Sequence, residues 1–266
     1  MMQQTLRQNA ILKLEEAKKK ELSLSSYYQL YQDLLQIQEE AAVNITTSLD
    51  LVDEKILNER LRSGFPQLSF DLLAIDKSTF PDLVQEILDL LTTYQGEKVD
   101  IPLLTEEDLL GKAHERFLQT QSTDNADLLD LAIDQSLMPY LELAAGQVML
   151  HVDTKKWLRG NCPCCGAEPN FACLDAEGSR VLICSRCRYE WRFKRTGCPY
   201  CGNTDPKSLR YYPAGEKKSY RLYVCDACSR YLKAVDQRVA GTANDLIAEP
   251  ILTWLLDKAA REKGYR

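Results

Sequence analysis

The chain has only two histidines in 266 residues, His114 and His151. Neither belongs to a ligand set or an acid–base constellation, and so few histidines assemble no serine or cysteine triad. Both read as ordinary surface or core side chains. There is no phosphate-cradling P-loop and no G-x-G-x-x-G fingerprint. No apolar run approaches the ~18 residues that a membrane span needs. The opening Met1-Met2-Gln3-Gln4 lacks the basic and apolar segments of a secretory signal, so a cytoplasmic location is expected. A cationic surplus is missing too. Thirty-three Lys and Arg stand against 39 Asp and Glu, a net charge of −6, which argues against bulk affinity for nucleic acid or anionic lipid. The acidic runs Glu39-Glu40 and Glu106-Glu107-Asp108 read as solvated helix faces. An enzyme is not expected.

Cysteine is absent from most of the chain. All ten cysteines fall between Cys162 and Cys228. The first ~150 residues instead carry helical periodicity: Leu30, Leu34, Leu35 and Ile37, then Leu83, Ile87, Leu88 and Leu91. Ser78 to Pro81 predicts a helix entry. Thr105 with Asp108 predicts a capping box, and Gly96 and Pro102 bracket the connection between two helical runs. After Leu150 the pattern changes. His151 to Trp157 is compatible with extended chain, and Gly160-Asn161 punctuates the entry to the cysteine region. Short β-rich pieces follow at residues 179–183 and 220–224. From Asn244 onward the chain reads as helical again, with Leu246, Ile247, Ile251, Trp254, Leu255 and Leu256 apolar and Pro250 in the first turn or interrupting the helix.

Eight of the cysteines form four C-x2-C pairs: Cys162/Cys165, Cys184/Cys187, Cys198/Cys201 and Cys225/Cys228, separated by 18, 10 and 23 residues. Two intervening residues let both thiolates of a knuckle face one ion. Gly166 and Gly202, directly after the second cysteine, suit the tight turn. Two such knuckles complete a tetrahedral four-sulfur site. The array also repeats, since Cys162-Pro-Cys-Cys-Gly166 matches Cys198-Pro-Tyr-Cys-Gly202 and Cys184-Ser-Arg-Cys187 matches Cys225-Asp-Ala-Cys228. The simplest reading is two consecutive units with one ion each. A cross-braced pairing of first with third knuckle is compatible with the spacing. In a reducing cytoplasm such clusters read as metal ligands before disulfides. Four thiolates suit zinc and a single iron atom equally. Cys164 and Cys173 are left over, as small buried residues or as spare thiols.

Charge supports filled sites. Residues 162–235 hold 13 Lys and Arg against 7 Asp and Glu. Each divalent ion in four thiolates adds about −2, so two sites reduce that local surplus of six to about two. Arg186, Arg188 and Arg192 then serve to balance sulfur charge. Little basic surplus remains for a nucleic-acid binder.

The residues around the knuckles resemble a known family. Trp157-x2-Gly160-x-Cys162-Pro-x-Cys165-Gly166-x2-Pro169, Gly178-x-Arg180-x-Leu182-x-Cys184-x2-Cys187-x3-Trp191 and Arg195-x2-Cys198-x2-Cys201 look like the FdhE family of formate dehydrogenase accessory proteins. The likeness continues through Cys225-x2-Cys228-x2-Tyr231-Leu232-Lys233-x2-Asp236, Asp245-Leu246, Leu256-Asp257 and Glu262-Lys263-Gly264-Tyr265-Arg266. It covers about residues 157–266; Cys164 inside the first knuckle departs from the usual pattern. The resemblance implies a cytoplasmic, non-catalytic maturation factor that contacts the molybdenum- or tungsten-containing catalytic subunit of formate dehydrogenase. It also implies a helical domain followed by two rubredoxin-like metal units, with iron and zinc both open.

The expected architecture is therefore α+β: a helical domain over residues 1–156, four-cysteine units of rubredoxin-like or zinc-ribbon type over 157–192 and 193–240, and a C-terminal helix over 241–266. Arg180, Trp191, Arg195, Tyr231, Lys233 and Asp236 lie close to the knuckles. They suit either local packing around the thiolates or docking of a partner. The competing functions are a rubredoxin-like iron electron carrier and a zinc-ribbon nucleic-acid binder.

Overall fold

In the computed structural model, residues 2–45, 53–96, 104–121, 126–241 and 245–266 are described, and the chain divides into two compact units. One comprises Met1–Asp53 with Leu68–His151, the other Glu54–Gln67 with Val152–Arg266. The second unit thus takes a piece of sequence from inside the helical half.

The first unit contains α1 (Met2–Lys20), α2 (Ser25–Asn44), α4 (Phe80–Gln95), α5 (Glu106–Leu118) and α6 (Leu128–Val148). Of the periodic residues, Leu34, Leu35, Leu83, Ile87 and Leu88 are buried core, as their spacing predicts, whereas Leu30, Ile37 and Leu91 are half-buried. Pro81 stands in the first turn of α4, and Gly96 ends it in the left-handed region at φ 73°. Pro102 lies outside the described residues. Thr105 caps α5 through the expected box, accepting from the Asp108 amide at 3.1 Å while Asp108 accepts from the Thr105 amide at 3.3 Å. Helix α6 is apolar nearly all round and carries the buried residues Ile133, Leu137 and Leu141. Inside this core Arg7 bridges two buried carboxylates, Glu39 at 3.2 Å and Glu142 at 2.6 Å, tying α1 to α2 and α6, so Glu39 leaves the solvated face expected of it and only Glu40 is exposed there. His114 stacks on Phe70 with ring centres 4.7 Å apart. Among the described residues no helix is long and apolar enough to cross a membrane.

The second unit begins with α3 (Glu54–Ser63) and is built on one six-stranded sheet. Its strands are β1 (Pro169–Leu174), β2 (Arg180–Cys184), β3 (Glu190–Phe193), β4 (Leu209–Ala214), β5 (Tyr220–Cys225) and β6 (Arg230–Asp236), in the order β3-β2-β1-β6-β5-β4. Each cysteine repeat supplies an antiparallel three-stranded ribbon. The two ribbons join through a parallel pair, with Phe171 opposite Lys233 and Leu174 opposite Asp236. Phe171, Cys173, Ile183 and Val235 form one apolar cluster of the sheet. Leu222 and Val224 pack with Ala260 in another.

Two further expectations change. Residues 151–157 turn rather than extend. Trp157 N–H closes a 3-10 turn onto the Thr154 carbonyl at 2.9 Å, and the Asp153 side chain accepts from the Lys155 amide at 3.1 Å. After the short α7 (Gln237–Ala240), the C-terminal helix is in two pieces, α8 (Glu249–Leu252) and α9 (Trp254–Glu262). Thr253 interrupts it, and its hydroxyl donates back to the Glu249 carbonyl at 2.7 Å. Pro250 lies in the first turn of α8, and Asn244 lies outside the described residues.

Candidate metal centres

The sheet places the sulfurs at the same points of both repeats. Cys162 and Cys165 precede β1, Cys184 ends β2, and Cys187 lies in the β2–β3 turn. Cys198 and Cys201 precede β4, Cys225 ends β5, and Cys228 lies in the β5–β6 turn. The backbone repeats with them. The Gly166 amide donates to the Cys162 carbonyl and Gly202 to Cys198, each at 3.0 Å. The Cys162 amide donates to Ala167 at 2.8 Å, and that of Cys198 to Asn203 at 2.9 Å. The residue after each knuckle is left-handed: Gly166, Arg188, Gly202 and Ser229. Glycine adopts that region without cost, whereas Arg188 and Ser229 hold it against a penalty of about 1–2 kcal/mol.

Two groups of four result, Cys162/Cys165/Cys184/Cys187 and Cys198/Cys201/Cys225/Cys228, so the pairing is sequential and not cross-braced. Sulfurs of different knuckles approach to 3.6 Å (Cys162–Cys187), 3.4 Å (Cys165–Cys184), 3.6 Å (Cys198–Cys228) and 3.7 Å (Cys201–Cys225). Those separations exceed a disulfide bond by far. They lie near the ~3.8 Å edge of a tetrahedron with metal–sulfur bonds of about 2.3 Å. Each group could therefore hold one metal ion.

Electrostatics point the same way. Burial pushes the Cys162 and Cys187 thiols well up, and hydrogen bonds from Cys162, Cys184 and Cys187 pull Cys165 well down. In the second group burial pushes Cys198 up to about 11. At Cys225 burial is outweighed by the Cys228 and Ala227 amides and the Asn203 side chain, which hold it at about 7. Four thiolates packed together ionise as a set only around a cation. The Cys164 and Arg186 amides, both 3.4 Å from the sulfurs of Cys162 and Cys184, add donors to the first group. All four sulfur residues of that group are buried, whereas Cys201 is exposed and Cys228 half-buried. Cys164 and Cys173 stand outside both groups. Burial pushes the Cys164 thiol up, and Cys173 belongs to the apolar cluster of β1.

The six flanking candidates are engaged inside the unit. Trp191 is buried and donates its indole N–H to the Arg159 carbonyl at 3.0 Å. Arg180 is buried and donates to the Gly197 carbonyl at 2.9 Å. Asp236 is buried between Arg221 and Arg238, at 2.6 and 2.7 Å. Lys233 is buried on Asp257 at 2.6 Å and the Pro250 carbonyl at 2.7 Å, and the half-buried Tyr231 donates to Asp257 at 2.8 Å. Only Arg195, which donates to the Gly178 carbonyl, is exposed.

Three supporting residues carry no role in the sequence reading. Asp257 joins α9 to β6 through Tyr231 and Lys233; its place in the Leu256-Asp257 motif was the available signal. Glu168 holds Arg230 by two 2.7 Å bonds. The Gln67 amide donates to the Pro163 and Cys164 carbonyls at 3.1 and 2.9 Å, across nearly a hundred residues of sequence, and no local pattern announces it.

No protein-family model matches the chain. An FdhE homolog of Aquifex aeolicus is 30% identical over 223 residues, 80% of this chain and 76% of the relative. One of Stutzerimonas stutzeri is 26% identical over 255 residues, 91% of this chain and 81% of that one. The crystal structure of the FdhE protein from Pseudomonas aeruginosa matches with a TM-score of 0.62 and 22% identity, covering 98% of this chain and 91% of that one, which is likeness of fold.

Proposed function

The chain belongs to the FdhE family, and from that premise we propose that it is a cytoplasmic, non-catalytic accessory protein needed to form active formate dehydrogenase. It binds the catalytic subunit of that enzyme from a metal-stabilised scaffold. Cys162, Cys165, Cys184 and Cys187 hold one ion, and Cys198, Cys201, Cys225 and Cys228 hold the other. The observation that carries this reading is the pair of complete four-sulfur groups at equivalent points of one sheet. A bound ion supplies crosslinks that a small β-unit cannot obtain from its own core. The sheet, the knuckle turns and α9 then present a fixed surface. Burial of Arg180, Trp191, Lys233 and Asp236 supports a positioning role for them, leaving Arg195 and Tyr231 as the members with surface to offer a partner.

The test is a deletion strain in which formate dehydrogenase is induced. Activity is expected to fall while the catalytic subunit is still made, and Cys162→Ala/Cys165→Ala is expected to reproduce the loss. A formate dehydrogenase catalytic subunit should co-purify with the wild-type chain. Full activity in the deletion strain sinks the proposal.

One observation favours a second reading. Cys201 is exposed, so an iron at the second group would lie close to solvent, as electron transfer requires. A colourless, zinc-loaded protein from the native host removes that alternative.

A further inference from the structure

Beside the second four-cysteine group lies a cavity of about 280 Å³, near the lower edge of small-ligand clefts. Its walls carry four arginines and no carboxylate. Two are neutralised from outside the cavity: Arg230 forks onto Glu168, and Arg210 donates to Asp226 at 2.7 Å. Arg180 and Arg195 have no carboxylate partner among the described residues.

Arg180 is the unusual one. It is 2% exposed, yet its polar contacts amount to one carbonyl, that of Gly197. Its guanidinium carbon lies 4.7 Å from the Tyr223 ring centre and 5.8 Å from that of Phe193. Its Nε has no hydrogen-bond partner, and it donates to no cysteine sulfur among the described residues. The Cys198 sulfur at the cavity wall offers it charge, but no acceptor fills its Nε; a buried, unfilled donor is expensive, and ring faces return only part of that cost. The contacts that do exist fix it in place. A rigid, planar fork with an unfilled donor, in a cavity whose walls are apolar and aromatic apart from the arginines, two threonines and the Cys198 and Cys225 sulfurs, matches a carboxylate.

We propose that this cavity binds a carboxylate carried on a small apolar or aromatic body, with Arg180 as the anchoring cation and Arg195 at the exposed side. The carboxylate belongs either to a free small acid or to the end of a peptide, and the chemistry that recognises it is the same. The inference does not depend on the accessory role, because it concerns charge recognition by the isolated chain.

The test is calorimetric titration of the full, metal-replete chain with sodium benzoate against benzamide. In parallel, a tripeptide ending in phenylalanine is titrated as its free acid and as its amide. The acid of at least one pair is expected to bind at least tenfold more tightly than its amide, and the preferred pair identifies the source. Arg180→Met is expected to abolish that preference and Arg180→Lys to keep part of it. In the zinc-loaded, 15N-labelled wild type, the preferred acid is expected to shift the amides of Gly197, Tyr200, Tyr223 and Val224, which needs no variant to fold. No binding by any probe, equal binding of acid and amide in both pairs, a preference that survives Arg180→Met, or shifts confined elsewhere would each overturn the proposal.

Discussion

The Tyr265 hydroxyl donates to the Asp226 carboxylate at 2.7 Å, and Asp226 stands between Cys225 and Cys228. Arg210 donates to both, at 2.7 Å to Asp226 and 3.1 Å to Tyr265, and the Arg266 amide donates to the Ser229 carbonyl at 2.8 Å. The segment after α9 therefore clasps the turn that carries the last knuckle. Removing the hydroxyl by Tyr265→Phe deletes bonds worth about 0.5–1.5 kcal/mol. Release of one bound ion to a chelator should become about 2–10 times faster, with the other ion unaffected. Unchanged release of both ions would show that the clasp does not support the site.

The two groups should also differ in the wild type. An incoming chelator must reach the ion through its ligand shell. The first group is buried throughout, whereas the second offers Cys201 directly. A colorimetric chelator should remove one equivalent quickly and the second slowly. Cys198→Ala/Cys201→Ala should erase the fast phase alone. Loss of both equivalents in a single phase would contradict the burial argument.

What the sequence made legible was whatever depends on neighbours a few residues apart. The C-x2-C spacing with Gly166 and Gly202 gave the knuckles, and the four-residue recurrence around Leu83, Ile87 and Leu88 gave α4. Thr105 with Asp108 gave the α5 cap. What it left open was decided by distant pairings. The choice between sequential and cross-braced sulfurs rests on the antiparallel register within each ribbon, Pro169 opposite Cys184 and Leu209 opposite Cys225, which knuckle spacing does not specify. Arg188 and Ser229 do the work of glycine because their turns are held by the strands on either side, and residue type alone does not reveal it. The engagement of Lys233 depends on Asp257 returning from α9, so proximity to a knuckle in sequence could not separate packing from docking.

Asp236 provides a pH-dependent element away from the sulfurs. Arg238 donates to it at 2.8 and 2.7 Å and Arg221 at 2.6 Å, and these partners hold its carboxyl down at about 2. A folded value below the unfolded one of about 3.9 stabilises the fold fully above that value. The contribution is lost as pH falls towards 2. Asp236→Asn should therefore be less stable than wild type at pH 7, and the gap should narrow below about pH 4. Urea unfolding of both proteins from pH 7 to 3 checks this. The difference isolates the carboxylate, because the cysteine ligands protonate alike in both. A gap independent of pH would remove Asp236 from this role.

The Lys233–Asp257 pair should show strong coupling between β6 and α9. Lys233 is buried, and its ammonium has Asp257 at 2.6 Å and the Pro250 carbonyl at 2.7 Å. Burial pulls its pKa down while Asp257 opposes that shift. Asp257→Asn leaves a buried cation with a neutral partner and should cost about 1–3 kcal/mol, part of it from the weakened Tyr231 bond. Lys233→Met alone removes the buried charge but leaves the half-exposed Asp257 to water and Tyr231, so it should cost less. In the double variant neither charge remains, and its loss should fall short of the two single losses combined by about 0.5–3 kcal/mol. Chemical unfolding of the four proteins measures that coupling. Hydrogen exchange at the amides of residues 256–260 should quicken most in Asp257→Asn, because α9 loses its anchor while the buried ammonium loses its counter-charge. Additive losses with unchanged exchange would mean that apolar packing of Ala260 on Leu222 and Val224 holds the helix without the ion pair.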